Sequence, residues 1–239
     1  MKKSELASYI EKYHLGGIVE SVLWEVDPKT NMATVQFVAT ENSTVGKVKF
    51  PFINIGTNPK FGIASTSSLL KMLSVMNEEI EMSTEVTHGI NMGLLINDSV
   101  YNGKFSLADV HNLPEVPEVG EPKFYELTLD LDKDFKDQYL KAYKALGSIN
   151  RITIEAKEKI KFTLGNKESY ANKMSFEKES MKYIPIKPVS FSGEALAAIL
   201  KCNDVEKGVL EVSEKGLLKI SFHTDDYDVT YFIVELEDL

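Results

Sequence analysis

Cysteine is almost missing from this 239-residue chain: Cys202 stands alone, so no intrachain disulfide can staple the fold. That usage fits a reducing compartment, and a cytoplasmic location is expected. No apolar run approaches the roughly 20 residues that a membrane-spanning helix needs. Met1-Lys2-Lys3-Ser4-Glu5 carries charge with no apolar core behind it, so no signal peptide is expected. The phosphate-binding Gly-x-x-x-x-Gly-Lys-Ser/Thr loop is absent, and so is the Gly-x-Ser-x-Gly elbow. Four histidines, His14, His88, His111 and His223, are scattered without metal-ligand spacing. Cys202 lies in an apolar helical segment and reads as core, not nucleophile. No catalytic residue, cofactor or metal site is expected from these patterns.

Positive charge is also in deficit, with a net charge of −9. Taken as a sum, this argues against a nucleic-acid binder, whose usual footprint is basic. The distribution matters more, because a basic face can coexist with an acidic remainder. Asp225, Asp226 and Asp228 read as a solvated hairpin turn, with a cation site as the other reading. Asp130, Asp132, Asp134 and Asp137 read as the charged start of a helix, where acids suit the macrodipole.

The chain matches itself at an offset of 130 residues. Tyr9-Ile10 falls on Tyr139-Leu140, Tyr13 on Tyr143, Gly17 on Gly147 and Val22 on Ile152. Further on, Phe61 falls on Phe191, Leu70-Lys71 on Leu200-Lys201, and Ile80-Glu81-Met82 on Leu210-Glu211-Val212. One ungapped offset implies one fold unit built twice, and the length suffices for two cores.

Each half reads as helix, strands, helix, strands. Leu6, Tyr9, Ile10 and Tyr13 make a helical stripe over 4–14, with Ser4 as N-cap and Gly16-Gly17 as terminator. Strands are predicted at 18–24, 34–39 and 45–53, then a helix through Met76 opened by Ser65 or Thr66, then strands at 78–85, 89–97 and 100–107. In the second half, helices are predicted at 132–146 and 193–203, the latter capped by Ser192. Its strands are predicted at 149–156, 158–165, 172–178, 181–187, 207–213, 216–223 and 227–236. Closely spaced turns suit antiparallel sheets, giving an α+β class with domains at 1–110 and 124–239. The linker, 111–123, holds three prolines and three glutamates within 111–122, and Leu113, Val116 and Val119 recur at every third position. That spacing fits either simple packing of the linker or a partner-binding strip.

All four helices carry a lysine off the apolar stripe: Lys12, Lys71, Lys133, Lys141, Lys144 and Lys201. A solvated helix face is the plain reading for any one of them. Together they suit phosphate contacts that read no sequence and weaken with salt.

Two tandem α+β halves, an extended linker and this length resemble a DNA sliding clamp. Phe191-Ser-Gly-Glu-Ala-Leu-Ala-Ala-Ile-Leu-Lys-Cys202 resembles the second inner helix of a clamp domain. Ile199-Leu200-Lys201-Cys202 is similar to the eukaryotic and archaeal type. The ending, Val229-Thr-Tyr-Phe-Ile-Val-Glu-Leu-Glu-Asp-Leu239, resembles a clamp's last strand and acidic tail, and the terse loops look like those of T4-type bacteriophages. The resemblance implies a head-to-tail homotrimer encircling double-stranded DNA, with helices lining the hole and antiparallel sheets outside. It also implies loading by an ATP-driven clamp loader, tethering of a DNA polymerase and no reaction of its own, with late-transcription activation as a further role in T4-type phages. Lys71 and Lys201 match the basic inner-helix positions, and Lys12, Lys133, Lys141 and Lys144 lie on the other inner helices. Leu113, Val116 and Val119, with Phe232, Val234 and Leu236, would hold a partner peptide. Where the family pattern has proline after the last strand, this chain has Glu235. Two other readings compete: a two-domain structural or virion module, which predicts no DNA dependence, and an enzyme using the linker cleft, which predicts convergent polar groups there.

Overall fold

The computed structural model describes residues 1–39, 43–52, 55, 58–147, 150–166, 171–179 and 183–236. Expectations for residues 53, 149, 181, 182 and 237–239 lie outside them. The chain divides into two compact units. One is Met1–Thr40, Gly46–Pro117 and Asp225–Val229; the other is Glu41–Val45, Glu118–Thr224 and Thr230–Leu239.

The first unit opens with α1 (Lys3–His14), whose Leu6, Ile10 and Tyr13 are buried. Ser4 is not its N-cap. Met1 and Lys2 pair with 78–80, through Ile80 N–H to the Met1 carbonyl at 3.0 Å and Lys3 N–H to the Glu78 carbonyl at 2.7 Å. That pairing starts the helix at Lys3 and places Ser4 inside it, where its hydroxyl bonds the Glu78 carboxylate. Left-handed Leu15, followed by Gly16 and Gly17 at positive φ, ends the helix. Strands β1 (Val22–Asp27), β2 (Met32–Val38), β3 (Thr44–Pro51) and β4 (Lys60–Ile63) follow, and β4, β1, β2 and β3 lie side by side in that order. Their inner face meets α1 through aromatic rings. Trp24 is fully buried, donates its indole N–H to the Tyr13 hydroxyl at 3.1 Å, and sits edge-on to Phe50 and Phe52.

Helix α2 (Thr66–Val75) is capped twice. Ser65 accepts from the Ser68 N–H at 3.3 Å, and Glu20 accepts from the Ser67 N–H at 2.9 Å. His14 Nε2 lies 3.3 Å from the same carboxylate and 3.0 Å from the Ser67 hydroxyl. Burial opposes ionisation of Glu20, but Ser67 and His14 outweigh it and hold the carboxyl below its ordinary 4.5. Glu20→Gln is expected to cost about 1 kcal/mol, typical of a lost cap and limited by solvent screening. The sign follows from the depressed value. The wild-type advantage is present above about pH 4.5 and is lost as pH falls below it, which urea titrations of both proteins at pH 7 and pH 3.5 would show. Strands β5 (Glu81–Thr87), β6 (Ile90–Asn97) and β7 (Asn102–Ser106) complete the unit as a meander in sequence order.

The second unit starts with β8 (Leu127–Asp130) and α3 (Lys133–Leu146), whose N-cap Asp132 accepts from the Phe135 N–H. Then come β9 (Arg151–Ala156), β10 (Ile160–Leu164), β11 (Met174–Lys178) and β12 (Ile186–Ser192), side by side as β12, β9, β10, β11. Phe135 of α3 packs on Phe162 and Phe176 of β10 and β11, with ring centres 5.0 and 5.6 Å apart. Helix α4 (Gly193–Cys202), capped by Ser192, precedes β13 (Gly208–Ser213), β14 (Leu217–His223) and β15 (Asp228–Val234), which run in the order β15, β14, β13, β8.

The order β4, β1, β2, β3 matches β12, β9, β10, β11, and β5, β6, β7 match β13, β14, β15, to which the second half adds β8, so the α+β repeat inferred from the sequence is the architecture of the chain. The single ungapped offset is corrected. Helices α1 and α3 begin 130 positions apart, but the caps Ser65 and Ser192 are 127 apart. The strand connections of the second half are three residues shorter in total, and loops absorb such differences at little cost. Lys71 is therefore six residues past its cap and Lys201 nine past its own, so the two are not equivalent positions.

Candidate nucleic-acid and partner interfaces

In each unit the helices pack as a pair, α1 with α2 and α3 with α4. Their apolar stripes face the sheets, and most side chains off those stripes are exposed, Lys12 excepted. Lys71 of α2 is exposed, as are Lys133, Lys141 and Lys144 of α3 and Lys201 of α4. None of these five takes part in a salt bridge among the described residues. Lys201 Nζ lies 5.7 Å from the centre of the Tyr143 ring. Burial, and then Glu194, push the Tyr143 phenol above its ordinary range. Sequence reasoning does not single out Tyr143, because it reads simply as part of the apolar stripe.

Lys12 departs from expectation. It is 3% exposed, with its ammonium 3.9 Å from the Tyr227 ring centre. A ring 215 positions away in sequence covers this side of α1, and no helical pattern can reveal that. Lys12 is left out of the candidate phosphate face.

The linker residues are positioned by their neighbours. Ala108 N–H donates to the Gly62 carbonyl at 2.8 Å, and a Cβ at Gly62 would stand 2.3 Å from the Ala108 oxygen. Only glycine lets β4 and this segment approach so closely. Asp109 then accepts from the His111 N–H at 3.0 Å and turns the chain. Beyond it, Leu113 and Val116, both half-buried, line a groove of about 410 Å³ on the first unit. Its opposite wall is the outward face of β1 and β2: Leu23, Glu25, Thr34, Gln36 and Val38. Sequence reasoning omitted this wall. The signal was the period-two alternation, which leaves apolar Leu23 and Val38 facing outward.

Val119, Phe232, Val234 and Leu236 belong to the second unit. Val119, Phe232 and Leu236 are half-buried, and Val234 is 44% exposed. Lys219 organises this surface. Its Nζ is 2.9 Å from the Glu121 carboxylate, 5.6 Å from the Tyr125 ring centre and 5.9 Å from that of Phe232. Leu236 N–H donates to the Ser190 carbonyl at 2.8 Å and Glu235 N–H to the Gly216 carbonyl at 2.8 Å, pinning the segment after β15. Among the described residues no group of three or more histidine, cysteine or acidic side chains could hold a metal ion.

No protein-family model matches the sequence, and no curated protein matches it either. Solved structures do match. The PCNA of A. fulgidus, solved with the C-terminal region of FEN-1, superposes at a TM-score of 0.74 with 13% identity, over 100% of this chain and 98% of that one. Entamoeba histolytica PCNA gives 0.72 with 14% identity, over 99% and 97%. The Helicobacter pylori beta clamp, solved with a DNA ligase peptide, gives 0.67 with 16% identity, over 99% of this chain and 62% of that one.

Proposed function

On the premise that this chain has the fold of DNA sliding clamps over its full length, we propose that it is a replication processivity factor that encircles duplex DNA. The observation that carries the proposal is the full-length fit to a ring-forming fold, joined to exposed lysines on the open helix faces. Among the described residues strands β7 and β11 are terminal in their sheets, and such edges suit head-to-tail joining of copies. Two units per chain make a three-chain ring of six units the natural closure. The chain does no chemistry in this reading. An ATP-driven loader opens the ring, a DNA polymerase is tethered to it, and a phage-encoded clamp would act in the host cytoplasm and serve late transcription.

Lysines drawn from this exposed set hold phosphates weakly and without reading sequence, as sliding requires. The acidic remainder of the surface repels DNA from the outside. The groove beneath Leu113 and Val116 takes an apolar anchor of a partner segment; the surface around Val119, Phe232, Val234 and Leu236 is a separate candidate for partner contact. Relatives of this fold solved with a FEN-1 terminus or a DNA ligase peptide support the peptide mode. The competing structural module has no use for lysines on open helix faces.

The test is topological. Protein loaded on nicked circular DNA should co-elute with it on a sizing column at moderate salt and be released when the DNA is linearised. Retention on linear DNA to the same extent would exclude encirclement.

A further inference from the structure

The two helix pairs differ in charge. On α1 and α2 the exposed charged side chains are Glu5, Glu11 and Lys71. Lys2, just ahead of α1, lies 3.8 Å from Glu5, Lys3 donates to the Met76 carbonyl, and Lys12 is buried. The rest of the open face is largely serine: Ser4, Ser8, Ser68 and Ser74. The α3–α4 pair instead exposes Lys133, Lys141, Lys144 and Lys201. Its exposed acids are Asp134 and Asp137 in the N-terminal half of α3 and Glu194 in the first turn of α4, where the macrodipole favours them. The C-terminal half of α3 therefore presents Lys141 and Lys144 with no acid between them. Half-buried Tyr143 lies in the same stretch, with Lys201 near its ring.

We propose that duplex DNA is held through the α3–α4 face alone, its phosphates bound by Lys141, Lys144 and Lys201, while the α1–α2 face makes no productive phosphate contact. The inference rests on the clamp reading and sharpens it. In a closed three-chain ring each chain would offer DNA one lysine-bearing helix face. Contact would be threefold in period although the fold repeats six times. The serine-rich face, short of fixed charge, would let the duplex shift past it, and the aromatic between the lysines stiffens the contacting face.

The experiment measures affinity of the full-length protein for a fluorescently labelled blunt duplex by anisotropy, across a salt series. Three proteins are compared: wild type, K141A/K144A/K201A and K71A. Circular dichroism and native mass confirm that the fold and assembly are unchanged. The triple variant should bind about ten-fold or more weakly at low salt, with a flatter dependence of log K on log salt, by about 0.9 for each phosphate no longer neutralised. Lys71→Ala should stay within about two-fold of wild type. Adding charge to the other face, with E5K/E11K, should tighten binding by creating the phosphate interactions that this face lacks. Equal weakening in the triple and Lys71 variants, or none in the triple variant, would overturn the one-face inference while leaving encirclement intact, provided the wild type is retained on circular DNA. Failure of the wild type both to bind the duplex and to be retained on circles would overturn the clamp reading, and the inference with it.

Discussion

In the proposed clamp, aspartate at both Leu113 and Val116 is expected to weaken recruitment of a DNA polymerase about 100-fold or more, roughly 3 kcal/mol. These side chains form the linker wall of the first unit's groove, opposite Leu23 and Val38. An apolar partner side chain entering there would have to desolvate two carboxylates, and that cost falls on the complex alone. Both residues are only half-buried in the free protein, so the fold tolerates the change. Polymerase stimulation on primed circular DNA should disappear, while native mass and retention on circles persist. Unaltered stimulation would move the partner site off this groove. The parallel change at Phe232 separates the two surfaces, because it alters the second unit without touching the groove.

The largest effect on stability is expected at Trp24. Its side chain is fully buried between α1 and the sheet, edge-on to Phe50 and Phe52 and bonded to the Tyr13 hydroxyl. Trp24→Ala would open a cavity and leave that hydroxyl short of a partner, for a loss of about 3–5 kcal/mol. Denaturant unfolding followed by far-UV circular dichroism measures it, since the variant has lost the sole tryptophan as a fluorescence probe. Trp24→Phe should recover most of the packing but not the hydrogen bond, placing it between the two. A loss below about 1 kcal/mol in the alanine variant would mean that the aromatic cluster does not anchor the first unit.

The helices were legible because each carries an unbroken stripe at helical spacing. Phe135, Tyr139 and Ala142 predict 132–146, and α3 is Lys133–Leu146. The short strands were not. β4 and β8 have four residues each, too few for alternation to stand out from chance. β1 starts at Val22 and not at 18, because Leu15–Gly17 form a tight turn and the following residues complete it. β12 is displaced from 181–187 to Ile186–Ser192. Pro188 lies inside it and argues against a strand, but the register shift between Ile186 and Val189 accommodates the proline.

The candidate sites divide along the same line. Lys71, Lys133, Lys141, Lys144 and Lys201 follow from local helical geometry and are exposed. Lys12 does not, because the ring that covers it comes from Tyr227. Leu113 and Val116 were visible as a threefold repeat in the linker. The groove they complete depends on β1 and β2, and nothing local in the linker points to those strands.

The proposed clamp function depends on ring closure, and native mass tests it directly. Light scattering across a dilution series should give three times the chain mass of 26.8 kDa, stable down to low micromolar concentration. A single-chain mass at the highest concentration reached would contradict a self-closing ring.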